Sequence, residues 1–179
     1  MNEIDQERVI EVGSECSVTV ESTSGDLTIL GWDKPQVACS KSEKRVSVEQ
    51  RGASVHLRPI KGSEDLTVMV PHLCDIAART TSGDIELKEV RGRIDIQSMS
   101  GDATAEDVRG DLSAHTISGD ISISGDQIEA LNLGSVSGDI DVRAPLSQEG
   151  SYDLHTVSGD VHLWLPLAQQ CTVDWRSIS

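Results

Sequence analysis

Six aspartates share one place in a recurring pattern, and carboxylates repeated at fixed spacing are the side chains here best suited to chemistry. Asp26, Asp84, Asp102, Asp120, Asp139 and Asp160 each follow Ser-Gly in the frame apolar-x-apolar-x-(Ser/Thr)-x-Ser-Gly-Asp-apolar-x-apolar. If successive copies stack, these carboxylates form a line one strand spacing apart, a geometry that could hold Ca²⁺ between layers. Calcium-binding nonapeptide solenoids, however, use Gly-Gly-x-Gly-x-Asp, whereas each corner here offers one Asp and no second glycine. Two carboxylates ~4.8 Å apart repel by only about 0.9 kcal/mol in water, so no ion is required to hold them. The preferred reading is that each Asp caps its turn. A cation ladder on Asp84, Asp102, Asp120, Asp139 and Asp160 is the alternative, and no metal or cofactor is assigned.

Other reactive residues give weaker signals. His115 and His155 fall on the outward face near Asp153, as a catalytic pair of a β-helix polysaccharide enzyme would. No nucleophile, paired acid or groove accompanies them, so no catalytic residue is named. Arg109-Gly110-Asp111 spells an integrin-type triplet, but it occupies a repeat corner where glycine is needed anyway. Cys16, Cys74 and Cys171 each stand two residues before the first apolar residue of a frame, and Cys39 continues the Val37 alternation. With no Cys-x-x-Cys and no ligand spacing, the four are read as buried small hydrophobes. Free thiols in turn point to a reducing compartment.

The elements that carry these residues follow from the frame. One copy runs through Ile94, Ile96, Ser98, Ser100, Gly101, Asp102, Ala103 and Ala105, and the next through Leu112, Ala114, Thr116, Ser118, Gly119, Asp120, Ile121 and Ile123. Period two makes these β-strands, with Ile94, Ile96, Leu112, Ala114, Leu131 and Leu133 inward and Asp95, Ser113, Asn132 and Asp153 outward. The glycine column (Gly25, Gly83, Gly101, Gly119, Gly138, Gly159) supplies the backbone angle of the corner. Two Ser/Thr columns are expected to form hydroxyl ladders that satisfy corner amides or each other. Signature serines at 82, 100, 118, 137, 158 and 179 give steps of 18, 18, 19, 21 and 21, and the extra residues all fall in one return segment. Val90-Arg91-Gly92 and Val108-Arg109-Gly110 mark a second turn in each coil.

A unit of two strands and two corners cannot bury its apolar face alone and must stack on its neighbours. The fold expected is all-β: a single-stranded parallel β-helix of about 18–21 residues per coil, right-handed by the crossover rule. About nine coils would give a rod on the order of 40 Å long. The chain is read as one domain: residues 1–17 a lead-in covering the first edge, 18–75 irregular coils, and 76–179 regular coils that stop mid-repeat. Arg51-Gly52 and Lys61-Gly62 mark turns in the irregular part.

Composition bounds the partners. Thirty acidic against 15 basic residues leave a net charge of −15, which argues against nucleic acid and anionic membranes. Cations and basic peptides or proteins are favoured, and solubility of a thin particle is the plainer explanation. No signal-peptide core or membrane-spanning run is present. The chain therefore reads as cytoplasmic, or as an envelope protein if it is a piece of a longer one.

The Thr/Ser-x-Ser-Gly-Asp repeats, the Ile29-Leu30-Gly31-Trp32-Asp33 run, and Val70-Pro71 preceding Thr80-Thr81-Ser82-Gly83-Asp84 carry a resemblance. So does Leu165-Pro166 preceding Ser177-Ile178-Ser179, with Cys171 in the place of Cys74. Over nearly its whole length the chain resembles the bacterial "putative adhesin" family of Ser-Gly-Asp β-strand repeats. The resemblance implies a β-helical scaffold, tied in some members to envelope-stress sensing, with no active site to carry over. The expectation is a non-enzymatic, adhesin-like scaffold presenting a surface to an unknown protein or peptide, with the loops at 143–151 and 164–172 as its variable parts. An acidic module for cationic peptides or metal ions is the alternative, and a carbohydrate-active enzyme ranks below it. End-to-end self-association through a bare strand edge is a further expectation.

Overall fold

The structure is a computed structural model that describes residues 8–13, 16–40, 46–60 and 64–166. Its strands are β1 (Arg8–Glu11), β2 (Cys16–Glu21), β3 (Leu27–Trp32), β4 (Gln36–Cys39), β5 (Val46–Arg51), β6 (Ser54–Pro59), β7 (Leu66–Pro71) and β8 (Cys74–Ser82). They continue as β9 (Ile85–Lys88), β10 (Arg91–Ser100), β11 (Ala103–Ser118), β12 (Ile121–Ser137), β13 (Ile140–Arg143), β14 (Leu146–Ser158) and β15 (Val161–Trp164). All join one 15-stranded sheet that winds into a parallel β-solenoid.

Two stacks of parallel strands make the walls. One runs β6, β2, β8, β10, the second half of β11, the second half of β12, then β14. The other runs β7, β3, β9, the first half of β11, the first half of β12, β13, then β15. Equivalent letters of the frame lie directly over one another: Ile76, Ile94, Leu112, Leu131 and Tyr152 share a column. Each wall thus has seven layers among the described residues rather than nine, spanning about 29 Å at the usual strand spacing.

The two missing coils are accounted for by strands that alternate but run antiparallel. β4 and β1 lie outside β7, and β5 lies outside β6 through the two-residue turn at Gly52-Ala53. Antiparallel strands on the first layer cover its edge. Layer order also departs from chain order, because β6 and β7 stack outside β2 and β3. The regular succession begins only at β8. The turn expected at Lys61-Gly62 lies outside the described residues.

The core is aliphatic, and two successive coils distribute large and small side chains differently. Ile94 and Ile96 face Ala103 and Ala105, while the next coil sets Leu112 and Ala114 against Ile121 and Ile123. Pairing large with small in one coil keeps the interior filled without widening the rod. Val90, Val108 and Ile128 close the third side.

The cysteines correct the sequence reading. Cys16 and Cys74 are buried, as expected, but they form a disulfide across 58 residues of sequence. β2 stacks directly on β8 with these two residues in register and their Cα atoms 4.6 Å apart. Their identical place in the frame, which identified them as core residues, is also what brings the sulfurs together. With that pair oxidised, free thiols no longer argue for a reducing compartment. Cys39 is buried in β4, and Cys171 lies outside the described residues.

Candidate functional site

The repeat corner is where the distinctive residues meet, and backbone geometry builds it. Each glycine amide donates to the serine carbonyl of the next layer: Gly83 to Ser100 and Gly101 to Ser118, at 3.1 and 3.2 Å. The layers approach so closely here that a Cβ on Gly101 would lie 2.7 Å from the Gly83 carbonyl carbon, and one on Gly119 would meet Gly101 likewise. Gly101 sits at φ 149°, yet no left-handed angle is recorded at Gly119. Crowding between layers applies to all six glycines of the column, and a left-handed angle applies to Gly25, Gly83, Gly101 and Gly159 as well.

The aspartates do cap, though across layers rather than within their own turn. The Asp84 amide donates to Asp26 Oδ1 at 3.0 Å, Asp102 to Asp84 at 2.9 Å, and Asp120 to Asp102 at 2.9 Å. Asp139 then donates to Asp120, and Asp160 to Asp139, both at 2.8 Å. Asp65 heads the line by accepting from the Asp26 amide at 3.0 Å, a member the sequence hid because no Ser-Gly precedes it. Asp75 repeats the arrangement on another column, accepting from the Arg93 amide at 2.9 Å. Oδ1 is thereby engaged on Asp65, Asp26, Asp84, Asp102, Asp120 and Asp139. Among the described residues, no group of three or more His, Cys, Asp or Glu is placed to hold a metal ion.

The inner hydroxyl column also differs in its partners. Thr80, Ser98, Thr116 and Ser135 are buried, and the hydroxyls of Thr80, Thr116 and Ser135 serve carbonyls rather than amides. Thr116 and Ser135 donate to the carbonyls of Gly101 and Gly119 one layer back, at 3.4 and 3.2 Å, and Thr156 does so to Gly138 at 3.0 Å. Ser98 Oγ is buried without a partner.

The histidines are not brought together. His115 and His155 are exposed on one outward column with Gly134 between them, two layers apart. Asp153 is exposed on the neighbouring column. Arg109 of the Arg-Gly-Asp triplet pairs with Asp126, and all three residues lie in β11. At the second turn, positive φ falls at Gly92 (134°) and Gly110 (103°) of the expected Val-Arg-Gly and also at Glu89 (57°) and Asp107 (53°) just before it.

Three features escaped the sequence reading. Glu21 gathers Arg58, His56 (3.4 Å) and Arg79 (3.9 Å), and the Arg58 hydrogen bond holds its carboxyl below the ordinary range against the opposing pull of partial burial. In the 143–151 return, the Tyr152 hydroxyl accepts from the Ser147 amide at 2.6 Å and donates to the Ile128 carbonyl at 2.9 Å. That variable loop is pinned, and desolvation pushes the phenol's pKa up. The 164–172 loop lies largely outside the described residues.

The third feature is an aliphatic ridge. The residue between the two hydroxyl columns points outward, and in four successive layers it is Met99, Ile117, Val136 and Val157. They are 53%, 48%, 46% and 67% exposed, far more than an aliphatic side chain needs to be on so acidic a molecule. The signal was present as an apolar letter inside Ser/Thr-x-Ser from Ser98 onward, where the earlier copies have Thr23 and Thr81.

Comparison with known proteins gives a family and no activity. No curated protein matches the chain. The chain is similar to the crystal structure of a "putative adhesin" from Bacteroides fragilis, at 12% identity and a TM-score of 0.49, covering 87% of this chain and 95% of that one. It is also similar to a "putative cell adhesion protein" from Clostridium sporogenes, at 9% identity and a TM-score of 0.46, covering 89% and 97%. Residues 3–179 match the Toastrack DUF4097 family, and the chain belongs to it.

Proposed function

We propose that this protein is a non-enzymatic β-helical scaffold that presents the ridge Met99–Ile117–Val136–Val157 to a protein partner. The observation that carries the reading is that ridge: four exposed aliphatic side chains on rigid, backbone-locked corners. Locked corners mean that little order is lost when the surface is covered, so a modest contact area suffices. The Cys16–Cys74 disulfide suits work in an oxidising compartment such as the cell envelope.

Affinity capture tests this with the wild-type chain and Ile117→Lys/Val136→Lys side by side. The lysine variant is expected to lose the captured partner with unchanged melting, and equal capture by both refutes the assignment. The second reading, an acidic module for cationic peptides or metal ions, rests on the exposed aspartates of the line, Asp26, Asp84, Asp102, Asp120 and Asp160. It requires salt-dependent binding of oligolysine, or a melting shift with Ca²⁺ that a chelator reverses.

A further inference from the structure

The partner whose chemistry fits the ridge is a second copy of this chain, an assignment that rests on the ridge being an interaction surface. Three columns run side by side along the rod, with the ridge in the middle, extended by Thr81 in the layer before Met99. On one flank lies the column Arg79, Gln97, His115, Gly134, His155, in register from layer to layer. On the other flank, past Ser-Gly, lies Asp84, Asp102, Asp120, Asp139, Asp160. Between the first flank and the ridge is a groove walled by Arg79, Gln97 and His115 on one side and Met99 and Ile117 on the other. Thr80, Ser98 and Thr116 complete its lining, and Ser98 carries the one inner hydroxyl described above as lacking a partner.

We propose that two copies associate side by side and parallel, about a two-fold axis running along the ridge. Such an axis exchanges the two flanks and keeps every layer at its own height. Arg79 then faces the partner's Asp84, Gln97 faces the partner's Asp102, His115 the partner's Asp120, and His155 the partner's Asp160. Each of these four pairs sets a side chain able to donate a hydrogen bond against an exposed carboxylate, Arg79 and Gln97 also serving Asp95 of their own chain. At the remaining layer Gly134 presents no side chain to the partner's Asp139. The ridge residues meet their own counterparts across the axis. A two-fold axis across the rod would instead set one line of aspartates against the other, in a molecule of net charge −15. Charge complementarity therefore selects the parallel arrangement. The contact runs about 19 Å over five layers, at the small end of interface sizes, so the association is weak and concentration-dependent.

Sedimentation velocity of the full chain, from micromolar to millimolar concentration, reads this out. The sedimentation coefficient is expected to rise with concentration in the wild type, and Ile117→Lys/Val136→Lys is expected to stay monomeric. Asp120→Asn/Asp160→Asn keeps the oxygen acceptor used within the rod and removes the charge, so it should weaken association about tenfold at low salt. Thr81→Cys is expected to cross-link to itself on mild oxidation, because parallel pairing brings like layers together. A chain that remains monomeric at millimolar concentration, undiminished association of the lysine variant, or cross-linking of Thr81→Cys only to Val157→Cys overturns the proposal. If the chain is monomeric but the lysine variant loses a different bound protein, the second copy is wrong and the interaction surface stands. If the lysine variant changes neither association nor capture, both fall.

Discussion

Replacing Asp102 tests the interlayer cap directly, because alanine and asparagine remove different parts of it. Asp102 Oδ1 accepts the Asp120 amide at 2.9 Å, and its own amide donates to Asp84 at 2.9 Å. Asp102→Ala leaves the Asp120 amide without its acceptor. A hydrogen bond to a charged group contributes about 1.5–3 kcal/mol, and access of water to this exposed corner puts the loss at the lower end. Against that, the substitution relieves repulsion from Asp84 and Asp120, each at most about 0.9 kcal/mol in water and less at physiological salt. At physiological salt the balance is a loss of about 0.5 kcal/mol, which for a chain of this size lowers Tm by about 1–2 °C. Asp102→Asn keeps Oδ1 and gives up only the charge, so its Tm should stay within about 1 °C of wild type and exceed it at low salt. Thermal melting of the three proteins at low and physiological salt decides the matter. Asparagine as damaging as alanine would refute the argument, since it would mean that charge, not an acceptor at that position, holds the layers together.

Other substitutions separate further causes. Gly101→Ala drives a Cβ into the Gly83 carbonyl and should cost about 3 kcal/mol or prevent folding, whereas Gly52→Ala, with open space around it and φ 64°, should cost about 1 kcal/mol by chemical denaturation. Cys16→Ser/Cys74→Ser opens a 58-residue closure and should lower stability by about 4 kcal/mol on the chain-entropy estimate, an effect that a reductant reproduces in the wild type. Ile96→Ala, fully buried, should cost about 2–4 kcal/mol, and Ile117→Ala on the ridge less than about 0.5 kcal/mol. Because the Arg58 hydrogen bond lowers the Glu21 pKa from 4.5 in the folded state, that contribution is fully present above pH 4.5. It is lost as pH falls through the lower folded value, so Glu21→Gln should flatten the acid limb of a stability–pH curve.

The regular coils were legible because one constraint repeats. A strand stacked in register must place the same kind of residue at the same height, so position 94 resembles 76 and 112 for a physical reason. Inward alternation, the glycine corner and the confinement of added residues to one return segment all follow from it. The register irregularities between Ala105 and Asp111, and at Ile128–Ala130, fall in that same segment. The aspartate partners were less legible, because a turn-capping residue looks the same whether the amide it accepts from is its own or belongs to the next layer. Only the strand spacing distinguishes the two cases, and sequence does not display it.

The amino-terminal half was hidden for a different reason. Alternation reports that Val46-x-Val48 and Val37-x-Cys39 are strands but carries no sign of direction, and both run antiparallel at the covered end. Layer order is hidden too, since the frame at 16–32 fits equally well against 54–71 on one side and 74–88 on the other, and the structure places it between them. That placement explains why a disulfide belongs there. β4 and β5 lie outside the stack, and β6 and β7 form its outer layer, before the coil resumes at Cys74. The Cys16–Cys74 bond fastens the two ends of that excursion at the layer where the succession becomes regular. If this is its role, Cys16→Ser/Cys74→Ser should raise amide exchange first in β4 to β7 and leave β11 and β12 protected, whereas uniform loss of protection along the rod would mean that the bond acts on the whole solenoid instead.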